Sequence, residues 1–514
     1  MDLKKITNIS KKIALFISAI FLFNFAWGQE NQIELIHADK VTNSIEFFDA
    51  VKVKGNVQFK NQDIKLFCDS AFFHKTDNWV RAYGRVQINQ GDTLNLYSDS
   101  LFFDGNTNIG KLQSKVKIRD KTFKLNTDSL SFDANQSIAY YSNYAFIKST
   151  QNDLTLESTK GTYNSLTKTF TFKDSVKLLH PDYSVYSDTL EFNTLSEVIQ
   201  IHGPSKILSD SSKIFTKKAI YQTKTDDIQM WDETTIHNPN QTIKGDSILY
   251  NSLTEYAEGF GNILLIDSLE KITLSSNYLY KKDSLIKLIG KAKILQYQST
   301  DTLAIRADTI IQTGDRNKNN TVNIAYSNVI LEKSGSLGIC DSLFISQKDS
   351  IIKMKKSPIL WKDNMEVSAD SITMKLENDA IKNLYLYQNA FLSMEHDSLH
   401  YDQCAGKKMI ATLDSGKVKL IEIIDNAETI YFPSETSKDS ITQKEIKTLK
   451  GANYMISSKI YIYFLNEEIS RIKFTEEPDA IFKPLKNAKQ EDLFLKKFVD
   501  KKSKKPDRLL KKID

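Results

Sequence analysis

At 514 residues, with 40% hydrophobic and 26% charged side chains, 22 Tyr and 28 Phe, the chain has enough apolar material for a packed interior, which excludes wholesale disorder. Eight Pro and 18 Gly exclude collagen-like and linker compositions. The formal charge of +5 is uneven: residues 1–28 carry +3 and residues 482–514 carry +7, so the body between them stands at −5 and lacks the basic surface that nucleic-acid binding requires.

Residues 1–28 place Lys4, Lys5, Lys11 and Lys12 ahead of an apolar run at 13–25 that closes on Ala26-Trp27-Gly28. That is the pattern of a secretory signal peptide, so export is expected. No Cys follows the run, so a lipid anchor at the cleavage site is not expected, and no later stretch reaches the ~18 apolar residues of a membrane-spanning helix. Three Cys (Cys68, Cys340 and Cys404) are too few and odd in number for a disulfide framework.

The mature chain repeats. Asp69-Ser70-Ala71-Phe72-Phe73 returns as Asp99-Ser100-Leu101-Phe102-Phe103, Asp128-Ser129-Leu130-Ser131-Phe132, Asp188-Thr189-Leu190-Glu191-Phe192 and Asp246-Ser247-Ile248-Leu249-Tyr250, then less completely at Asp308, Asp341, Asp370 and Asp397. Degenerate copies at Thr159, Lys217 and Ser276 fill the gaps, and the starts stand 27 to 33 residues apart. A period near 30 residues over the whole body marks a repeat architecture. Within a unit, turns such as Asp104-Gly105-Asn106, Asn164-Ser165-Leu166-Thr167 and Asn193-Thr194-Leu195-Ser196 bracket alternating apolar segments of about ten residues. Two half-buried antiparallel strands per unit follow, and the class is all-β.

Two columns run down the repeat. Leu66, Leu96, Leu125, Leu156 and Val185 stand three residues before the Asp position, and Phe73, Phe103, Phe132, Tyr163 and Phe192 four after it. Seven residues separate the columns, and side chains alternate along a straight strand, so both face inward only if the strand bends at Asp-Ser. The small residue before the Asp (Cys68, Ser98, Thr127, Ser158, Ser187) fits such a corner. Each strand then wraps around two walls of an elongated sandwich. In the unit at Ser276 the first column is broken by Thr273. A second signature, Gly55-Asn56-Val57, Gly84-Arg85-Val86 and Gly261-Asn262-Ile263, reads as a bulge or tight bend in the other strand. Val51, Val53, Val57 and Phe59 alternate ahead of the first full unit, so this strand is expected to lack a neighbour in its own chain and to serve as a docking edge.

The phrases "VKVKGNVQFKNQDIKLFCDSAFF" (51–73), "GDTLNLYSDSLFF" (91–103) and "IKGDSILYNSLTEYAEGFGNILL" (243–265) resemble the OstA-like family of periplasmic lipopolysaccharide-transport proteins. The resemblance implies a β-jelly roll of stacked, bent antiparallel strands, here about twelve to fourteen repeats, whose apolar interior carries lipopolysaccharide acyl chains towards the outer membrane. On that reading Leu66, Phe73, Leu96, Phe103, Leu125, Phe132, Leu156, Tyr163, Val185 and Phe192 line the lipid path. Partners would be lipopolysaccharide or a related glycolipid, and other envelope jelly rolls joined by edge-strand pairing. The organisation expected is a signal peptide at 1–28, repeats over 29–480 with atypical end units from 380, and a basic tail at 481–514.

The tail, with Asp492 to Val499 read as a short amphipathic helix and the lysines after it as a solvated run, is a candidate contact for a membrane or phosphate surface. No phosphate loop, nucleophile elbow or zinc motif occurs, so neither enzyme activity nor a cofactor is expected. The Asp-Ser column, repeated so often, reads as scaffold bonding backbone N–H groups, and Cys68 and Cys340 as small structural residues. His396 and His400 would lie about 13 Å apart on a strand, too far to share a metal ion. The rival reading is a structural or adhesive β-solenoid at the cell surface, without lipid cargo.

Overall fold

Alternating apolar residues between Asn-, Asp- and Gly-rich turns satisfy their backbone amides most directly by pairing with their sequence neighbours, and the computed structural model takes that solution throughout. It describes residues 32–510 apart from 62–63, 91–93, 120–122, 134, 151–152, 165, 194, 211, 223, 252, 255, 298–301, 315–319, 379, 439–444, 467 and 477, so the signal peptide read at 1–28 lies outside the described residues. The described residues form strands, turns and short 3-10 segments, with no α-helix. The chain forms two units, Met1–Phe260 and Gly261–Asp514.

In the first unit Val51–Asn61 pairs with Ile64–His74, and the antiparallel meander continues through Trp79–Gln90, Leu94–Asp104, Ile109–Arg119 and Phe123–Asp133. The next two strands are broken in the middle, as Ile138–Tyr141 with Ala145–Ser149 and Thr155–Ser158 with Lys160–Asn164. Continuous strands resume at Thr169–His180 and run to Gln241–Asn251. The second unit repeats the plan from Ile272–Lys282 to Gly451–Leu465, again with a broken pair, Ile351–Lys355 with Ile359–Lys362 and Met365–Ser368 with Ser371–Glu377.

The breaks mark a corner that every strand turns. In Phe123–Asp133 the buried residues are Phe123, Leu125 and Thr127, then Leu130 and Phe132, so the alternation skips one step across Asp128-Ser129 and both columns face inward. The opposite strand, Ile109–Arg119, buries Gly110 and Leu112, then Val116 and Ile118, and takes one residue more at the corner: Gln113 pairs with Ser129 and Val116 with Thr127. The extra length is a pair of left-handed residues, Ser114 and Lys115, with φ of 64° and 53°. The same pair stands at Gly55-Asn56, Gly84-Arg85, Asp174-Ser175, Asp232-Glu233, Ser327-Asn328 and Gln388-Asn389. Glycine marks only some of these corners; the others accept the left-handed strain that a Cβ brings.

The polar chemistry of the corner differs from the expectation. The hydroxyl of the small buried residue donates to the carbonyl two residues on: Ser98 to Ser100 at 2.9 Å, Ser187 to Thr189 at 3.0 Å and Thr216 to Lys218 at 3.0 Å. The Asp reaches across to a side chain on the neighbouring bulge: Arg85 to Asp69 at 2.6 Å, Asn328 to Asp308 at 2.8 Å and Lys356 to Asp341 at 2.6 Å. These hydrogen bonds hold the carboxyls of Asp69 and Asp341 below the usual carboxylate range.

Four sequence expectations are corrected. Strand Val51–Asn61 does have neighbours on both sides, because Glu34–His37 and Lys40–Asn43 pair with it, so Val51, Val53, Val57 and Phe59 are not an open edge. The unit read from Ser276 starts one residue later: Ile272, Leu274 and Ser276 are buried, and Asn277 stands in the Asp place opposite Gly290. Asp397 is not a corner but accepts the N–H groups of Leu399 and His400 in a hairpin turn, which also takes His396 and His400 off any strand. Residues 492–499 form no amphipathic helix: Asp479–Pro484 pairs with Gly451–Leu465 across the boundary drawn at 480/481, and residues 485–510 pack back on the strands of the second unit.

Where a corner strand carries glycine opposite an aromatic, the ring occupies the space a β-carbon would need. Phe132 lies over its register partner Gly110, and Tyr141 over Gly161. Gly110→Val is expected to destabilise the protein by about 1–3 kcal/mol, because Phe132 must leave its rotamer, whereas Ser114→Gly, which relieves left-handed strain, should be neutral or stabilising by up to ~1 kcal/mol. Chemical denaturation of both variants measures the contrast in sign.

Candidate functional site

Inward-facing apolar columns can either fill a roll or line an open path. In the first unit they pack against one another. Leu66, Phe73, Leu96, Phe103, Leu125, Phe132, Leu156, Tyr163, Val185 and Phe192 are all buried, and Leu156 and Phe192 have no exposed surface. The rings pack on one another, Phe103 on Phe132 with centroids 6.0 Å apart and Tyr163 on Phe170 at 4.2 Å. The structure thus brings the ten expected residues onto one interior surface, as a packed core. Val53, Val57 and Phe59 belong to the same core, with Val51 half-buried beside them.

The second unit leaves its interior partly empty. A cavity of about 350 Å³ is walled by Ile352, Leu360, Leu386, Leu392, Ile421 and their neighbours, a volume within the ~300–1,000 Å³ range of small-molecule sites. Sequence reasoning did not single out these residues, because they continue the same columns with aliphatic side chains where the first unit has aromatic ones. One signal was readable: four of the eight methionines, Met365, Met374, Met394 and Met409, lie in this wall. Methionine is the side chain that adapts best to an irregular apolar space.

Three hairpin turns meet at the mouth. Lys333 ends Val322–Lys333, Lys362 ends Ile359–Lys362, and Lys417 begins Lys417–Tyr431. Strand alternation sets Lys333 on the face of Leu331 and Lys362 on the face of Leu360, both towards the cavity. Lys333 is only 6% exposed, and the Lys362 Nζ donates to the Gly416 carbonyl across the mouth at 2.7 Å. Asp363 and Asn364 complete the polar rim.

On the outside of the same strands lies the C-terminal segment. Leu495 is buried in a second small core with Phe391, Ile430 and Phe432, and buried Gln403 bonds the Leu493 carbonyl at 2.8 Å and the Leu495 N–H at 2.9 Å. Lys501 pairs with Glu366, Lys502 with Glu395, and Arg508 with Glu332, whose second carboxylate oxygen accepts the N–H groups of Leu509 and Leu510. Much of the basic tail's charge is thus engaged with this chain's own carboxylates.

Burial pushes the thiols of Cys68 and Cys340 up to about 12 and raises that of Cys404 as well, so all three stay protonated at neutral pH. Among the described residues no group of three or more His, Cys, Asp or Glu side chains is placed to hold a metal ion.

Bent antiparallel strands stacked in register, turning a corner at each repeat around an apolar interior, define a β-jelly roll of the repeat type. Residues 30–188 match the model of the family described as OstA-like protein, the family that the phrases at 51–73 and 91–103 resemble. Similar solved structures include LptH, described as the LptA-homologous periplasmic component of the lipopolysaccharide transport device of Pseudomonas aeruginosa, at 11% identity and a TM-score of 0.20, covering 21% of this chain and 81% of that one. No curated protein matches the chain.

The docked tail yields a test. Leu495→Ala is expected to cost about 2–5 kcal/mol, the range for truncating a buried leucine. Limited proteolysis should then cut within residues 485–510 well before the strands, while the parent protein resists at the same sites.

Proposed function

We propose that the protein is a non-catalytic lipid-conduit protein of the periplasm, which holds acyl chains of lipopolysaccharide or a related glycolipid in its jelly-roll interior and helps pass them towards the outer membrane. The observation that carries this reading is the open apolar cavity of the second unit, walled by aliphatic and methionine side chains and reached through a polar mouth. An interior lined this way replaces the apolar surroundings an acyl chain leaves behind in a membrane, so transfer costs little, and flow is driven by other components. Lipopolysaccharide enters the reading through the OstA-like match over 30–188 and the sequence phrases behind it.

Partners of the same fold would join by strand addition. With Val51–Asn61 covered, that role passes to Glu34–His37 and Lys40–Asn43, where Ile36 and Val41 are half exposed. The packing of aromatic rings on one another in the first unit, Phe103 on Phe132 and Tyr163 on Phe170, favours a second reading, a structural β-solenoid without cargo, for that unit.

A photo-crosslinking residue at Leu386, in the cavity wall, is expected to capture lipopolysaccharide acyl chains in the envelope, and one at outward Lys375 is not. Parallel probes at Phe103 and at outward Lys124 decide whether the first unit opens to cargo or stays shut. Equal capture at inward and outward positions would reject the conduit and leave the structural reading.

A further inference from the structure

The C-terminal segment holds to the second unit in two different ways. Residues 493–498 are anchored by burial: Leu495 is 3% exposed, Phe498 lies on Tyr401 with ring centroids 5.1 Å apart, and Gln403 holds the backbone on either side of Phe494. Residues 499–510 contain no buried side chain and are held chiefly by charge. Lys501 and Lys502 reach Glu366 at 3.3 Å and Glu395 at 2.6 Å, on the paired strands Met365–Ser368 and Ala380–Glu395. Arg508 then meets Glu332 at 2.9 Å on Val322–Lys333, and the Leu509 carbonyl accepts from the Lys293 Nζ at 3.2 Å on Leu285–Tyr297. The arm thus crosses the ladder at right angles to its pairing order.

All three carboxylates stand on the back of the cavity wall. Glu332 lies between Leu331 and Lys333, Glu366 between Met365 and Val367, and Glu395 follows Met394, and each of those neighbours borders the cavity. Side chains alternate along a strand, so the arm grips the outer side of the backbone whose inner side encloses the space. Its grip falls where the wall is weakest. Ile359–Lys362 and Met365–Ser368, the hairpin at the mouth, are four residues each and are cut off by the corner from the outer halves of their strands. Short, sparsely paired segments of this kind open first. Glu366 accepts both the Trp361 Nε1 of this hairpin, at 3.0 Å, and Lys501 of the arm.

The other side of the arm shows what would draw it off. Lys496, Lys497 and Lys504 are exposed and make no ion pair among the described residues, and Val499 between them is 59% exposed. Exposed lysines around an exposed apolar side chain fit an anionic lipid surface, whose phosphates attract the ammonium groups while the apolar group enters the interface. Lys502 and Arg508 are half exposed in their own ion pairs, and carboxylates freed by release regain water, so such a surface competes for the arm at little cost.

Resting on the conduit reading for what the cavity receives, we infer that residues 499–510 are a releasable strap over the cavity wall. An anionic membrane surface draws the arm off Glu332, Glu366 and Glu395, hairpin 359–368 swings free, and the second unit opens where it touches a membrane.

The test uses the full mature chain with vesicles of phosphatidylglycerol and phosphatidylcholine in equal parts, and of phosphatidylcholine alone, read by vesicle flotation and by hydrogen exchange of backbone amides. The mixed vesicles are expected to bind at least about tenfold more tightly than the neutral ones, through several lysines at the surface. On the bound protein the amides of 359–368 should exchange about tenfold faster, while those of 420–431 in the same unit keep their rate. Glu366→Gln with Glu395→Gln should speed the same amides without any vesicle. That variant should also bind the mixed vesicles more tightly than Asp283→Asn with Asp425→Asn, which removes the same charge from exposed turn and bulge positions away from the arm. Lys496→Gln, Lys497→Gln and Lys504→Gln together should lose the vesicles and leave 359–368 protected. Binding that leaves exchange at 359–368 unchanged makes the tail a plain anchor and overturns the inference, as does equal affinity for the two kinds of vesicle or for the two carboxylate variants. Opening by soluble heparin and not by vesicles overturns the membrane as partner. None of these measurements involves cargo, so their failure leaves lipid capture at Leu386 standing, whereas loss of that capture in a protein whose strap releases overturns the conduit reading alone.

Discussion

The constraint on which both units depend is that each strand must turn a corner without exposing its apolar side. A pleated strand alternates faces at every residue, so turning from one wall to the next requires a change of phase, and the two partners of a ladder must change phase together. One strand does so by dropping a step at Asp-Ser, and its neighbour by adding a left-handed pair such as Ser114-Lys115. Side chains follow from this: a hydroxyl before the Asp occupies the inner angle, where its donor meets a turned carbonyl, and the Asp stands outside, where it meets the bulge of the next strand. Exposed pairs of this sort are screened by solvent and contribute little, so their role is to favour the bend over a straight strand rather than to hold the sheet together.

Turn chemistry ties the hairpin ends into a second ladder. The Asn193 carboxamide accepts the N–H groups of Leu195 and Ser196 within its own turn and donates to the Thr167 carbonyl of the turn before it, and Asn251 does the same towards Thr225. Loops that would otherwise fray are stacked at the same spacing as the strands they join. The interior is then free to vary, since corner and turn fix the walls. Aromatic columns stack on one another in the first unit, and aliphatic and methionine columns border a cavity in the second.

Much of this was legible from residues. Leu125 and Phe132, seven apart, required the bend before any coordinates, and Gly84-Arg85 announced its bulge. Corners at Ser114-Lys115 or Asp232-Glu233 gave no such notice, because nothing in a serine, lysine or glutamate marks positive φ. The displaced register at Asn277 was visible only as a broken column at Thr273. Columns report which way a side chain points and not how much space faces it, so Leu386 reads like any other buried column residue although it borders a cavity. The docking of residues 485–510 was invisible for a different reason: its partners Gln403, Glu366 and Glu332 lie about 90 to 180 residues upstream, where no local pattern links them.

That distance in sequence has a bearing on how the protein matures. Repeat stacks fold progressively as the chain emerges, each hairpin finding its neighbour already in place. Gln403 and Glu332 cannot follow this order. The groups that satisfy them, the backbone of Leu493 and Leu495 and the Arg508 guanidinium with Leu509 and Leu510, lie far along the chain from their strands. Without that segment the outer faces of Val322–Lys333 and Tyr401–Asp414 would carry buried polar groups with fewer partners. The segment at 485–510 thereby ties burial on two separated strands to a single late contact in the chain, so loosening it should expose both together.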